Sequence, residues 1–393
     1  MTTTPPVRPR NLFLVANNIE EVGGLQRVVH LLAAEFAAAG HHVELIGIVP
    51  YPTPYPYRSD GSYRTAVLYQ ATEPKAWKPT RLRDTFNVPA RRQEQARRRM
   101  HADAVARLSA RFRSVPDGIV ICSQAWAMDW VAEADTSHLR VITQSHESYE
   151  ASRGLTPASR GSGRYARMRR TYRDVDLFLL LTQHDADRFE RDGFNNVAVM
   201  HNPLTMYPDQ ASALTERRVI NVGRYHEQKN QRALIQAFAL VARHHPDWSL
   251  RLVGEGPLEG QLREQIDALG LAARIELAGP SSQVEAELRN SSIFALSSDF
   301  EGLPLVLAEA MACGVPCVSF DCAPGIREII SDEVDGVVVP PRDVEALAAG
   351  ICRLIEDEFL RRSLGAAARN NIRRFSRAEI LRQWHEVFDM VER

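Results

Sequence analysis

The sequence predicts an α/β protein made of two doubly wound, mostly parallel sheets, and three observations carry that expectation. A chain of 393 residues is too long for one ordinary hydrophobic core. Short apolar runs alternate with helically spaced segments in both halves. Between the halves lies LTMYPDQASALTE, polar and without periodicity, where a domain boundary is expected. The predicted division is a flexible N-terminus over 1–10, a first α/β domain over 11–205, a second over 206–375, and a C-terminal helix over 376–393 that packs back on the first domain.

Each element follows from its pattern. NLFLVAN from Asn11 and HHVELIGIV before Pro50 are apolar runs of the kind that parallel strands bury on both faces. Between them LQRVVHLLAAEFAAAG has helical spacing and stops at Gly40, so the three make a βαβ unit. Residues 50–80 are rich in proline and tyrosine and read as loop or irregular edge structure. The arginine-rich stretch that follows becomes helical in its second half. GIVICSQ, RVITQSH, DLFLLLT and NVAVMHNP continue as strands, with helices between them, one basic near Tyr165–Tyr172. After the boundary the alternation restarts with RVINVGR, a helix over 230–244, WSLRLVGEG, a helix over 258–269 and RIELAG. SSIFALSS, VPCVSF and GVVVPP supply further strands, and helices near 343–355 and 357–391 close the chain.

Composition excludes several classes. Hydrophobic residues at 45% and charged residues at 25% are ordinary for soluble globular proteins and unlike disorder or a disulfide scaffold. A formal net charge of -1 gives no overall field toward nucleic acid, so no nucleic-acid partner is expected. Cys122, Cys313, Cys317, Cys322 and Cys352 are an odd number and read as thiols in a reducing cytoplasm. Met1–Arg10 lacks the order of a signal peptide, and no apolar stretch is long enough to span a bilayer. The expected location is cytoplasmic, with peripheral contact at the inner membrane face left open.

In open parallel sheets, ligands bind beyond the carboxyl ends of the strands, so the loops there hold the candidates. The first loop ends in Gly23-Gly24, with Arg27 one turn on. Paired glycines before a helix allow close approach of a phosphate to free N–H groups, and they equally suit a bare tight turn. The second loop, GRYHEQKN, carries Arg224 and Lys229, cations able to grip a pyrophosphate or simply to be solvated. Lysine is scarce in this chain, occurring at 75, 78 and 229 only. The third, DFEGLPLVLAEA, has Pro304 suited to a first helical turn, which leaves Glu301 in the loop and Glu309 inside the helix. Each carboxylate can accept hydrogen bonds from vicinal hydroxyls, and each also has a plain structural reading.

The Glu301/Glu309 E-x7-E pair within DFEGLPLVLAEAMACGVPCV, with GRYHEQKN, LRLVGEGPLEGQL and GGLQRVVHLLAAEFAAAGHHV, resembles the retaining glycosyltransferases of family 4. The likeness covers almost the whole chain, most strongly Val219–Pro340 and least over Tyr51–Ser114. It implies the GT-B fold, two Rossmann-like domains facing a cleft, and transfer of a hexose or N-acetylhexosamine from a UDP- or GDP-sugar. The acceptor would be a glycan, a lipid-linked precursor or a wall or exopolysaccharide chain. By resemblance, Glu301 contacts donor-sugar hydroxyls with the amides around Gly302, Leu303, Pro304 and Leu305, and Glu309 binds the ribose. Arg224 and Lys229 hold the diphosphate, Gly23 and Gly24 approach it from the first domain, and Gly254 and Gly256 lie near the base. His146 matches the histidine beside the reacting sugar carbon. The nucleotide sugar is a co-substrate; no cofactor or metal is implied. Transfer would be front-face, with the leaving diphosphate helping to deprotonate the acceptor.

Asp174/Asp176 and Asp185/Asp187 spell DxD but flank a strand as turn and helix-start residues, so metal binding is not expected there. Cys313 and Cys317 have no second pair at zinc spacing. The arginine runs Arg91–Arg113 and Arg153–Arg173 are either solvated helix faces or a surface for an anionic acceptor or membrane. A nucleotide-sugar epimerase and a catalytically silent GT-B subunit are the alternative functions. The donor base and sugar, the acceptor and the oligomeric state are not legible.

Overall fold

A computed structural model describes residues 8–55, 57, 61–71, 87–156, 159–161 and 163–393. Residues 1–7 of the expected flexible terminus, part of the proline- and tyrosine-rich segment, and the lysines at 75 and 78 lie outside the described residues.

The first domain runs β1 (Asn11–Ala16), α1 (Gly24–Ala38), β2 (His42–Gly47), β3 (Arg64–Val67), α2 (Val88–Phe112), β4 (Ile119–Cys122), α3 (Met128–Glu133), β5 (Arg140–Gln144), α4 (Tyr149–Ser152), α5 (Arg164–Thr171), β6 (Leu177–Leu180), α6 (Gln183–Arg191) and β7 (Val197–Val199). The second runs β8 (Arg218–Val222), α7 (Gln231–His244), β9 (Ser249–Val253), α8 (Glu259–Ala268), β10 (Ile275–Leu277), α9 (Val284–Arg289), β11 (Ile293–Leu296), α10 (Leu305–Ala312), β12 (Cys317–Phe320), α11 (Pro324–Ile329), β13 (Val337–Val339), α12 (Val344–Glu356) and α13 (Glu358–Asn371). Helix α14 (Arg377–Val391) follows.

Among the described residues the first sheet has seven parallel strands in the order β3-β2-β1-β4-β5-β6-β7, and the second has six in the order β10-β9-β8-β11-β12-β13. The central strands are mostly apolar because helices cover both faces; β4, β6, β11 and β12 are buried along their whole length. Strand order reverses between β1 and β4 and between β8 and β11. The loops after β1, β8 and β11 therefore open at the two switch points where such sheets bind ligands.

Two details differ from the sequence expectation. Within the segment expected to be irregular, RTAV forms the parallel edge strand β3 beside β2; an edge strand needs only one buried face, so its pattern is weak. The helix expected over 357–391 is interrupted at Ile372–Phe375 by a 3-10 turn. Ser376 then restarts the helix by accepting a hydrogen bond from the Glu379 amide, and the S-x-x-E spacing of a capping box was its available signal.

Helix α14 lies on α1 of the first domain. Phe36 meets Trp384 and Phe388 at ring-centroid distances of 5.7 and 5.4 Å, with all three rings buried. Arg10 closes the contact by ion-pairing with Glu392 at 3.0 Å and with Asp389. The chain thus crosses between domains twice, and the crossings touch: the Leu204 amide donates to the Phe375 carbonyl at 2.8 Å, and Arg377 donates to the Thr205 carbonyl at 2.6 Å. The two crossings thus lie side by side.

Candidate active site

The switch-point loops of the two domains face each other across a cleft of about 900 Å³. A second opening of about 930 Å³ adjoins it and shares Ser148, Thr156, Phe300 and Glu301.

On the first-domain side, Gly23 and Gly24 begin α1, which has neither a side-chain cap nor an acid in its first turn. Its leading N–H groups therefore face the cleft with the positive end of the helix dipole. On the opposite side α10 starts after Pro304, again without a side-chain cap or an acid in its first turn. The two helix starts are close: a Cβ on Gly24 would lie 3.3 Å from Leu305 Cδ1. Two uncapped amino-terminal ends meeting across one cleft present an environment that favours an anion.

Lys229 and Arg224 line the same cleft. Lys229 Nζ lies 2.6 Å from Glu301 Oε1, and Ser298 Oγ donates to that oxygen at 2.6 Å. Glu301 is buried, so its charge is balanced chiefly by this lysine. The exposed Arg224 guanidinium has no hydrogen-bond or ion-pair partner among the described residues, while its backbone carbonyl is fixed by Gln231 at 2.9 Å. A held lysine and an unpartnered arginine thus stand beside the two helix starts.

Glu309, one turn into α10, is also buried. Its Oε1 accepts from Thr205 Oγ1 at 2.5 Å and meets the Arg27 guanidinium at 2.9 Å. This excludes the surface position that its sequence equally allowed.

His146 follows β5 on the first-domain wall. Neither ring nitrogen has a hydrogen bond of good geometry, although both are enclosed, and the Asn202 Oδ1 beside them is likewise unpaired. Burial pushes the imidazole down to about 4, offset only in part by the Asn202 side chain. His146 is therefore neutral at pH 7, with one donor and one acceptor enclosed in the cleft wall. The His146 carbonyl also contacts the opposite loop: a Cβ on Gly302 would lie 2.7 Å from that oxygen. Only glycine at 302 permits so close an approach of the domains here. Gly302, Leu303, Pro304 and Leu305 all line the cleft.

Gly254 and Gly256 are placed differently. They do not line the cleft, and their identity has a packing reason: φ is +152° and +158°, and a Cβ would meet the Gly223 and Tyr225 carbonyls at 2.1 and 2.4 Å. They let the β9 loop press against the β8 loop that carries Arg224 and Lys229. The second-domain end of the cleft is lined instead by Ser281–Glu285.

Asp176 accepts from the Val141 amide at 2.7 Å, and Asp185 from the Tyr149 amide at 2.9 Å. Among the described residues no group of three or more His, Cys, Asp or Glu side chains could hold a metal ion. All five cysteines are free thiols. The second arginine run is largely tied down, with Arg167 and Arg170 on Asp129, Arg164 on Glu147 and Arg153 stacked 4.2 Å from the Tyr165 ring. On α2, by contrast, Arg91, Arg92 and Arg99 are exposed. No helix among the described residues is long and apolar enough to cross a membrane. Sequence reasoning noted Arg27 without giving it a role, and it missed Thr205 and Ser298, whose partners are brought to them only by the fold.

Two α/β domains that join their switch points across one cleft are the GT-B arrangement. The same architecture occurs in a TarM mutant of S. aureus, solved with fondaparinux, alpha-GlcNAc-glycerol and UDP: the TM-score is 0.77 at 14% identity, covering 96% of this chain and 99% of that one. Residues 22–205 match the model of glycosyltransferase family 4, and residues 207–371 match that of glycosyl transferases group 1. The chain belongs to glycosyltransferase family 4. It is 35% identical to an exopolysaccharide phosphotransferase of Streptomyces coelicolor over 70% of this chain and 29% of the relative. It is 33% identical to the amylovoran biosynthesis glycosyltransferase AmsD of Erwinia amylovora, over 55% of this chain and 62% of the relative. The matches thus span less than two thirds of the length of these relatives.

Proposed function

We propose that this chain is a retaining glycosyltransferase that moves a hexose or N-acetylhexosamine from a UDP- or GDP-sugar to a hydroxyl of a glycan, lipid-linked or exopolysaccharide acceptor, without a metal ion. The observation that carries this reading is the meeting of two uncapped helix starts with Arg224 and Lys229 in one cleft, beside two buried carboxylates. Amides and cations suit a diphosphate, and the carboxylates suit sugar and ribose hydroxyls. The names of the relatives favour a polysaccharide or lipid-linked acceptor: amylovoran biosynthesis in Erwinia amylovora, and a diphospho-undecaprenol substrate in a Campylobacter jejuni transferase 31% identical over 43% of this chain and 46% of that relative. TarM and Anabaena HepE, solved with UDP, support a nucleotide donor.

In this reading the helix starts, Arg224 and Lys229 stabilise the negative charge that grows on the diphosphate as the bond to the sugar carbon breaks. Glu301 orients the sugar by its hydroxyls, held in place by Lys229 and Ser298. Glu309 takes the ribose. Neutral His146 hydrogen-bonds the sugar from the acceptor side. The acceptor oxygen forms its bond to the sugar carbon on the face that the diphosphate leaves, and its proton passes to a departing phosphate oxygen. The exposed arginines of α2 present a surface for an anionic acceptor or an anionic membrane.

The test is to incubate the protein in EDTA with UDP- and GDP-linked glucose, galactose, mannose and N-acetylglucosamine, and to follow free nucleotide and the anomer of the released sugar by NMR. Release from one nucleotide series with the donor's anomeric configuration kept is expected. Inverted product, or release that requires a divalent metal, would overturn the mechanism.

A further inference from the structure

Glu309 is held from two directions. Thr205, on the first crossing between the domains, donates to its Oε1 at 2.5 Å, and Arg27 reaches the same oxygen at 2.9 Å from the opposite side of the cleft. Arg27 stands on the first turn of α1 and Glu309 on α10, so this ion pair joins the two domains at the helix starts that flank the anion site. The Glu309 side chain is 2% exposed, whereas that of Arg27 is 38% exposed. Among the described residues Oε2 of Glu309 accepts no hydrogen bond, and the residue lines the cleft. One oxygen is occupied by the protein and the other is open to a ligand hydroxyl.

The contacts continue around the two crossings. Arg377 of α14 donates to the Thr205 carbonyl at 2.6 Å and lies 3.5 Å from Glu35, two turns beyond Arg27 on α1. Helix α1 is thereby tied to the Thr205 crossing at one end through Glu35 and Arg377, and at the other through Arg27 and Glu309. Opening of the cleft must withdraw Arg27 from Glu309, because the two ride on different domains.

We infer that Arg27 is a positioning residue of the nucleotide site, supplied by the opposite domain, and that through Glu309 it links nucleotide binding to closure of the cleft. The inference rests on the reading that Glu309 binds the ribose. With the cleft closed, Arg27 fixes the carboxylate so that Oε2 faces the ribose hydroxyls. With the cleft open, Glu309 keeps Thr205 alone and its carboxylate is freer to turn. A ligand that prefers the fixed carboxylate must favour the closed state by the same factor, since linkage is reciprocal.

The test is calorimetric titration with UDP and with GDP of the wild type, Arg27→Gln, Arg27→Lys, Glu309→Gln and the Arg27→Gln/Glu309→Gln pair, with small-angle scattering on each. Arg27→Gln should weaken binding of the preferred nucleotide by about 5- to 150-fold, the usual range of such couplings. Arg27→Lys keeps the charge and should fall between it and the wild type. The double variant should bind as weakly as Glu309→Gln alone, because both changes remove one interaction. Scattering should show the nucleotide compacting the wild type and not Arg27→Gln, a difference that a loss of stability alone would not produce. Wild-type affinity in Arg27→Gln, or losses that multiply in the double variant, would overturn the inference while leaving the donor site in place. Wild-type affinity in Glu309→Gln would remove the ribose role of Glu309, and the inference with it.

Discussion

Replacing Gly302 with alanine should separate the closed cleft from the fold itself. The new Cβ would lie 2.7 Å from the His146 carbonyl oxygen, against 3.4 Å where ordinary contact begins, so the domains must part by about 0.7 Å. The loop cannot retreat within its own domain: behind it stands Gly325, where a Cβ would already lie 1.9 Å from the Gly302 carbonyl. Both obstacles are backbone atoms, so no side-chain rotation relieves them. Displacements approaching 1 Å at a reacting centre cost on the order of 100-fold in rate. Gly302→Ala should therefore lose turnover by about that factor in a nucleotide-release assay, with a melting temperature near that of the wild type. Its nucleotide affinity should fall no further than in Arg27→Gln, since each acts through closure. Gly24→Ala is the control for compactness in scattering. Its Cβ meets only the tip of the Leu305 side chain at 3.3 Å, which can rotate away. Wild-type turnover in Gly302→Ala would refute the reasoning that the cleft floor must close.

Three other outcomes are expected. Gly254→Ala places a Cβ 2.1 Å from the Gly223 carbonyl at φ +152°, and should destabilise the protein by about 3 kcal/mol in a denaturant melt; an unchanged midpoint would contradict the packing role given to this glycine. His146 has its pKa pushed down to about 4, so the unfolded chain binds a proton between pH 6.5 and 4 that the folded protein refuses. Its contribution to stability is complete above pH 6.5 and is lost as pH falls toward 4, by about 3 kcal/mol. His146→Gln should gain on the wild type through that window, and parallel stability curves would show that the imidazole is not kept neutral by burial. Reversing Arg91, Arg92 and Arg99 to glutamate should lower co-sedimentation with phosphatidylglycerol vesicles at least tenfold at about 1 kcal/mol per charge; unchanged binding would rule out α2 as a membrane surface.

The fold was legible because parallel strands covered on both faces are written as continuous apolar runs, as in IVIC of β4 and IFAL of β11. Strand β3 was not, because RTAV at the sheet edge is half exposed and sits among prolines and tyrosines. Arg224, Lys229, Glu301 and Glu309 could be picked out because sheet topology alone puts their loops at the ligand end. What those residues touch was not legible: Arg27 and Glu309 are far apart in sequence, and only the approach of two domains makes them a pair. Gly254 and Gly256 show the opposite limit, since a glycine required by backbone packing and one required by a ligand look alike in sequence.

The most direct test of the central claim is calorimetric titration of the metal-free protein with UDP, GDP and ADP, repeated on Glu309→Ala and Lys229→Ala. The account predicts micromolar binding of UDP or GDP by the wild type and at least tenfold weaker binding in each variant. Absence of binding by all three nucleotides, or equal binding by wild type and both variants, would contradict a nucleotide-sugar site in this cleft.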